Sequence, residues 1–160
     1  MKKVFLIFSS CIIIYTILSG CQHLSEKPAN ELDLKPTSYK NLNTLDGVFM
    51  SKKAGTLSPS GMTVLFENQS KKDIVYGADY LLKEKIDGQW YELPVIIEGD
   101  YGFTSIGYEL PPSSTQEWEV DWTGFYGELE KGEYRLIKSI LDFRKAGDYD
   151  KYWVSVEFEI

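Results

Sequence analysis

Three patterns of hydrophobic and polar positions follow one another along the chain. From Val4 to Leu18 apolar residues dominate, interrupted by Ser9, Ser10 and Thr16. From Gln22 to about Leu45 the residues are polar, and no period of 2 or 3.6 persists. Beyond Gly47 short runs rich in aromatic and β-branched residues are separated by Gly, Pro, Asn and Asp. That rhythm predicts an all-β antiparallel sandwich.

Alternation predicts the strands. Val48-Phe49-Met50-Ser51 begins the first, with Thr56-Leu57 as a candidate continuation past Gly55. Residues 62–67 place Met62, Val64 and Phe66 on one face. Residues 74–76 and 79–86 lead into Asp87-Gly88, a strong two-residue hairpin signal, and residues 89–93 return. Pro94 stops that strand or places it at an edge. Residues 104–110 form a weaker strand before Pro111-Pro112. Along residues 116–122, Trp118, Val120 and Trp122 face the core while Glu117, Glu119 and Asp121 face solvent. Residues 134–140 follow a turn at Lys131-Gly132-Glu133. The final strand, 152–160, turns Val154, Val156, Phe158 and Ile160 inward and Trp153, Ser155, Glu157 and Glu159 outward. Two segments are candidates for a turn of helix. One is Phe125 to Leu129; the other is Ser139 to Lys145, where Leu141-Asp142-Phe143-Arg144 leaves the alternating pattern.

The first apolar run is short for a membrane span and follows Lys2-Lys3, as in an export signal. It ends in Leu18-Ser19-Gly20-Cys21, small residues before a cysteine, which resembles the lipobox of bacterial lipoproteins. The resemblance implies cleavage after Gly20 and lipidation of the Cys21 thiol. It also implies a mature protein held by its acyl chains at the extracytoplasmic face of the cell membrane, since two or more chains anchor stably. Cys11 leaves with the signal, so Cys21 is the only mature cysteine and no internal disulfide forms. The expected organisation is a lipoprotein signal over 1–20, a lipidated N-terminus and flexible tether over 21–45, and one domain over 46–160.

Charge and composition narrow the function. Removing residues 1–20 takes away two lysines and no acid, so the net charge moves from −7 to −9. That argues against nucleic acid or an anionic bilayer as partner. His23 is the only histidine and sits two residues from Cys21, which excludes a Ser-His-Asp triad, a Cys-His dyad or a histidine zinc site within the domain. Glu98 and Asp100, in a Gly-rich loop beside Tyr101 and Phe103, form a candidate carboxylate pair. A domain of this size leaves little room for a deep cleft, so the expectation is no enzyme. Asp148 and Asp150, with Asp142 nearby, are candidate oxygen ligands for calcium, and the competing reading is a solvated acidic loop. No cofactor is expected. Aromatic residues make up 14% of the chain, and three stand apart from the inward faces. Trp153, on the outward parity of its strand, and Tyr101 and Phe103, in the loop, are candidate ligand-binding residues. The competing reading packs Trp153 beneath a neighbouring loop and lets the other two cap the core.

Leu129, Gly132 and Tyr134 stand at the spacing of a tyrosine corner. Several other stretches join them: Glu67-Asn68, residues 86–91 (Ile-Asp-Gly-Gln-Trp-Tyr), residues 107–112 (Gly-Tyr-Glu-Leu-Pro-Pro), residues 118–122 and Tyr126-Gly127. Together they resemble the bacterial immunoglobulin-like domain of small exported lipoproteins in Gram-positive bacteria, over about residues 48–160. The resemblance implies a sandwich of seven or more strands and no reaction. The expected role is a non-catalytic binding or accessory module at the cell surface, meeting a protein, peptide or wall glycan. The alternative is a sensor or inhibitor subunit of an exported peptidase or of a membrane transport or signalling complex.

Overall fold

The computed structural model describes residues 35–160. The signal at 1–20, the Gly20-Cys21 junction and His23 lie outside the described residues. Nine strands and one helical turn follow in order: β1 (Val48–Lys52), β2 (Gly61–Asn68), β3 (Ile74–Tyr76), β4 (Leu81–Ile86), β5 (Gln89–Glu92), β6 (Tyr108–Leu110), β7 (Ser114–Asp121), α1 (Thr123–Tyr126), β8 (Glu133–Lys145) and β9 (Asp148–Glu159). They form two antiparallel sheets. The small sheet runs β1-β2-β7, and the large one runs β5-β4-β8-β3-β6 with β9 also paired to β8. The chain is an all-β sandwich of immunoglobulin type.

Alternation explains the core. Every second residue of β2 is buried, from Met62 through Val64 and Phe66 to Asn68. Across the sandwich, Leu136 and Ile140 of β8 and Val154 and Phe158 of β9 meet them. Asn68 sits in this layer without loss of polar satisfaction. Its Nδ2 donates to the carbonyls of Lys72 (2.8 Å) and Leu110 (2.9 Å), and its Oδ1 accepts from Ser70. The indole of Trp122 stacks on Phe158 at 5.4 Å and donates from Nε1 to the Pro59 carbonyl at 2.6 Å. The β4–β5 hairpin turns through Asp87 and Gly88 at φ 50° and 81°, the doubly left-handed turn that Asp-Gly favours. At the end of the sandwich the Tyr134 hydroxyl donates to the Glu130 carbonyl at 3.1 Å, the contact that defines a tyrosine corner. Leu129 is buried beside it, and a side chain at Gly132 would meet the Tyr134 ring at 3.2 Å.

Three elements differ from the sequence expectation. Residues 139–145 are neither coil nor helix; they continue β8, which is one strand of 13 residues. Alternation persists there, with Leu141 and Phe143 on one face and Ile140 and Asp142 on the other. The inward polar position is filled by Asp142, which pairs with Lys72 and lies 3.8 Å from Arg144. Residues 104–107 are not strand, and only Tyr108–Leu110 pairs with β3. Thr56-Leu57 does not extend β1.

Five consecutive residues of β8, Leu136 to Ile140, are buried, so its outer face is covered as well as its inner one. The cover is a strap formed by residues 35–45. At one end it pairs with β5: Thr37 N–H donates to Trp90 O at 3.0 Å and Glu92 N–H to Lys35 O at 2.8 Å. At the other end it meets the free edge of β9. Asn43 N–H donates to Trp153 O at 2.8 Å, and the Asn43 side chain both donates to Ser155 O and accepts from Ser155 N–H. Between these ends Tyr39 of the strap meets Lys83 of β4 at 5.2 Å and Trp153 of β9 at 4.7 Å, and Ile137, on the same outer face of β8, is 0% exposed. The sequence expectation ends the tether at residue 45, and residues 35–45 already lie on the domain.

Candidate functional site

The β4–β5 ladder is uneven, and its short side leaves a cavity. Pairing runs from Ile86–Gln89 to Lys83–Glu92 and stops before Leu81 and Leu82. Leu93 N–H still donates to Leu82 O at 3.2 Å, but Pro94 has no N–H to continue the ladder. The chain then leaves the sheet and crosses to α1, where Ile96 N–H donates to Phe125 O at 2.8 Å. The gap is a half-open cavity of about 380 Å³, inside the range of roughly 300–1,000 Å³ typical of small-molecule sites.

Its walls come from five segments. β4 contributes Leu81, Leu82 and Lys83; the end of β5 and the departing loop contribute Glu92, Leu93, Pro94 and Val95. Tyr101 of the loop, Tyr126 of α1 and Lys35 of the strap complete it. The Tyr126 hydroxyl accepts from Leu82 N–H at 3.4 Å, and burial raises its pKa, so it stays a neutral phenol. Lys83 is 2% exposed although it lines the cavity. Its Nζ lies 3.2 Å from a carboxylate oxygen of Glu92 and 5.2 Å from the centre of the Tyr39 ring. The arrangement offers apolar walls, two phenols and one ion pair whose ammonium has further donor capacity. Apolar walls with a few placed polar groups suit the recognition of a small ligand.

The three aromatic residues singled out in the sequence do not come together. Tyr101 lines the cavity, 53% exposed, with its ring edge-on to Phe125 at 5.8 Å. Phe103 turns inward, stacked on Phe125 at 4.7 Å and against Tyr80 at 5.4 Å, so it caps the core. Trp153 is on the outer face of β9 but lies beneath the strap. Tyr39 meets it edge-on at 4.7 Å and the Lys151 ammonium lies 4.6 Å from the ring centre. Outward parity predicts exposure only where nothing crosses the sheet, and here the strap does.

The acidic candidates separate in the same way. Glu98 and Asp100 are exposed in the loop and do not line the cavity. Asp148 and Asp150 are taken by Arg144, whose Nε donates to Asp148 at 2.7 Å and whose Nη1 donates to Asp150 at 3.0 Å. A guanidinium stands where the calcium reading needs an ion, and among the described residues no group of three or more His, Cys, Asp or Glu is placed to hold a metal.

Sequence reasoning missed two buried lysines. Lys83 is one. Lys138 of β8 is the other, 0% exposed on the inner face. Its Nζ donates to the carbonyls of Gly77 and Asp79 (2.5 Å to the latter) and sits 4.2 Å from the centre of the Trp118 ring. Burial pushes its pKa down to about 8, with the Asp79 charge opposing. The signal for Lys138 was its inward parity between Leu136 and Ile140.

The two antiparallel sheets and the tyrosine corner define an immunoglobulin-like module. The pattern of the bacterial Ig-like domain matches residues 44–159, and the chain belongs to that family. Comparison with curated proteins and with solved structures gave no match. Domains of this family are typically non-catalytic, and membership supports a surface or accessory module.

Proposed function

We propose that this chain is a lipid-anchored accessory module on the extracytoplasmic face of a bacterial cell membrane, and that it binds a ligand in the cavity beside β4. The observation that carries the ligand reading is the cavity itself, an apolar recess with two phenols and an ion pair whose lysine is buried, where the β4–β5 ladder ends. The anchor reading rests on the Leu18-Ser19-Gly20-Cys21 sequence after a basic and apolar start. The −9 charge of the mature chain disfavours a polyanionic partner.

One cellular experiment tests both parts. A photo-crosslinking residue is placed at Tyr101, or at Glu117 on the opposite sheet as control, in cells fed an alkyne fatty acid. The reading predicts lipid incorporation that Cys21→Ala abolishes, and adducts from position 101 that position 117 does not give. Lipid incorporation unchanged in Cys21→Ala would refute the anchor; equal adducts from both positions would refute the cavity. A second reading, a sensor or inhibitor subunit of an exported peptidase or of a membrane transport or signalling complex, draws on Ile96 and Ile97, exposed beside the cavity. Under that reading the position 101 adducts are membrane proteins.

A further inference from the structure

The ligand reading leaves the chemistry of the ligand open, and the charges around the cavity narrow it. The chain is acidic overall, yet the residues lining the cavity include two lysines, Lys35 and Lys83, against one acid, Glu92. The two lysines stand differently. Lys35 is exposed at the start of the strap, where its carbonyl is held by Glu92 N–H. Lys83 is buried to 2% exposure, and its one ion-pair partner among the described residues is Glu92, at 3.2 Å.

An ammonium has three donors, and a buried one is held at a large desolvation cost unless charge or hydrogen bonds offset it. Among the described residues its ammonium meets one carboxylate oxygen and the face of Tyr39, and an ammonium with three donors has capacity for a further acceptor. That Glu92 is itself about 42% exposed weakens the pair through screening and leaves room for a second anion at the same ammonium. Beyond the lysines the walls are Leu81, Leu93, Val95 and the Tyr101 ring, which suit a short hydrocarbon body.

We infer that the cavity takes a small amphipathic anion, an apolar body carrying one carboxylate, with the carboxylate set between Lys83 and Lys35. The inference deepens the ligand reading above and rests on it. A cationic amphiphile of the same size would place its charge against two ammonium groups and is rejected. A polyanion is rejected by the rest of the acidic surface, so one charge on an apolar body is the preferred form.

The test uses the full lipidated chain in uncharged detergent and two photoreactive probes of equal length, a diazirine-bearing octanoate and the corresponding octylamine. Labelled positions are mapped by mass spectrometry. The expected result is labelling of residues 81–83 and 92–101 by the octanoate probe at least tenfold above the octylamine probe. Lys35→Gln, at an exposed side chain, lowers that ratio several-fold. Lys83→Met brings it close to one, whereas Lys131→Met at a distant exposed position leaves it unchanged. Equal labelling of the cavity by both probes, or a ratio unmoved in Lys35→Gln and Lys83→Met, overturns the carboxylate preference while leaving the cavity reading in place. Failure of both probes to label the cavity overturns both. Should Lys83→Met not fold, the ratio in the unmodified chain and in Lys35→Gln still decides.

Discussion

On the inner face of the large sheet Lys138 lies among aromatic rings and carbonyls, and on the outer face Lys83 lies under the strap beside Glu92. Both side chains are almost wholly withdrawn from water. Lys138 is sealed: its ammonium closes the break between β3 and β4 by holding the Gly77 and Asp79 carbonyls, and it lines neither the cavity beside β4 nor the recess beside Gly77. Lys83 has an ion pair, a ring face and a recess about 380 Å³ in volume beside it. Two buried cations in one sheet thus carry different duties. The inner one joins strands, and the outer one pairs with Glu92 beside the recess, where the proposed ligand would bind.

The largest expected effect lies on the sealed side. Lys138→Ala removes three methylenes and the ammonium from a packed layer and leaves two carbonyls unpaired, so a loss of about 3 kcal/mol is expected in urea unfolding. Lys138→Met keeps the length and sheds the buried charge, so the lost hydrogen bonds and the relieved desolvation nearly cancel, within about 1 kcal/mol at pH 7. A full-sized loss in the Met variant would mean that the charge itself holds the β3–β4 break.

The pH dependence sharpens the same point. The folded-state pKa of Lys138, about 8, lies below the ordinary 10.5, because burial disfavours the ammonium. The unfolded chain therefore binds more protons between these values. The penalty is full below pH 8 and is relieved as pH rises through the window. Burial raises the Tyr80 and Tyr134 phenols, Tyr134 to about 12, so their contribution is present below pH 10 and lost above it. Stability should rise by on the order of 2 kcal/mol from pH 8 to 10, and Lys138→Met should remove that rise. Chemical denaturation at a series of pH values reads both.

A smaller effect is expected at the strap. Asn43→Ala loses the paired bonds to Ser155 at the edge of β9 and should cost about 1–2 kcal/mol. It should speed amide hydrogen exchange along residues 35–45 more than in β2. Uniform acceleration across both sheets would mean that the strap is part of one cooperative unit with the core.

Much of this fold is readable in the residues themselves. The period-2 patterns of β2 and β7, the Asp87-Gly88 turn and the Leu129–Tyr134 spacing depend on local chemistry, and local chemistry is written in order along the chain. The cavity and the strap are not. The cavity exists because a ladder ends at Pro94 while a loop crosses to α1, a relation between distant segments. The strap has no hydrophobic period, since it binds by backbone pairing and Asn43 at its ends and by Tyr39 between them. Trp153 shows the consequence: its parity was correctly outward, but the surface it faces is occupied. Tyr101 became a wall of the cavity because a Gly-rich loop carried it there, and no strand pattern marks that position.

Hydrogen exchange with and without octanoate, on the full chain, tests the division between the two faces most directly. The account predicts added protection at residues 81–83 and 92–101, with residues 74–80 and 136–140 unchanged. Protection centred on Lys138 and Trp118, or spread evenly over both sheets, would contradict it.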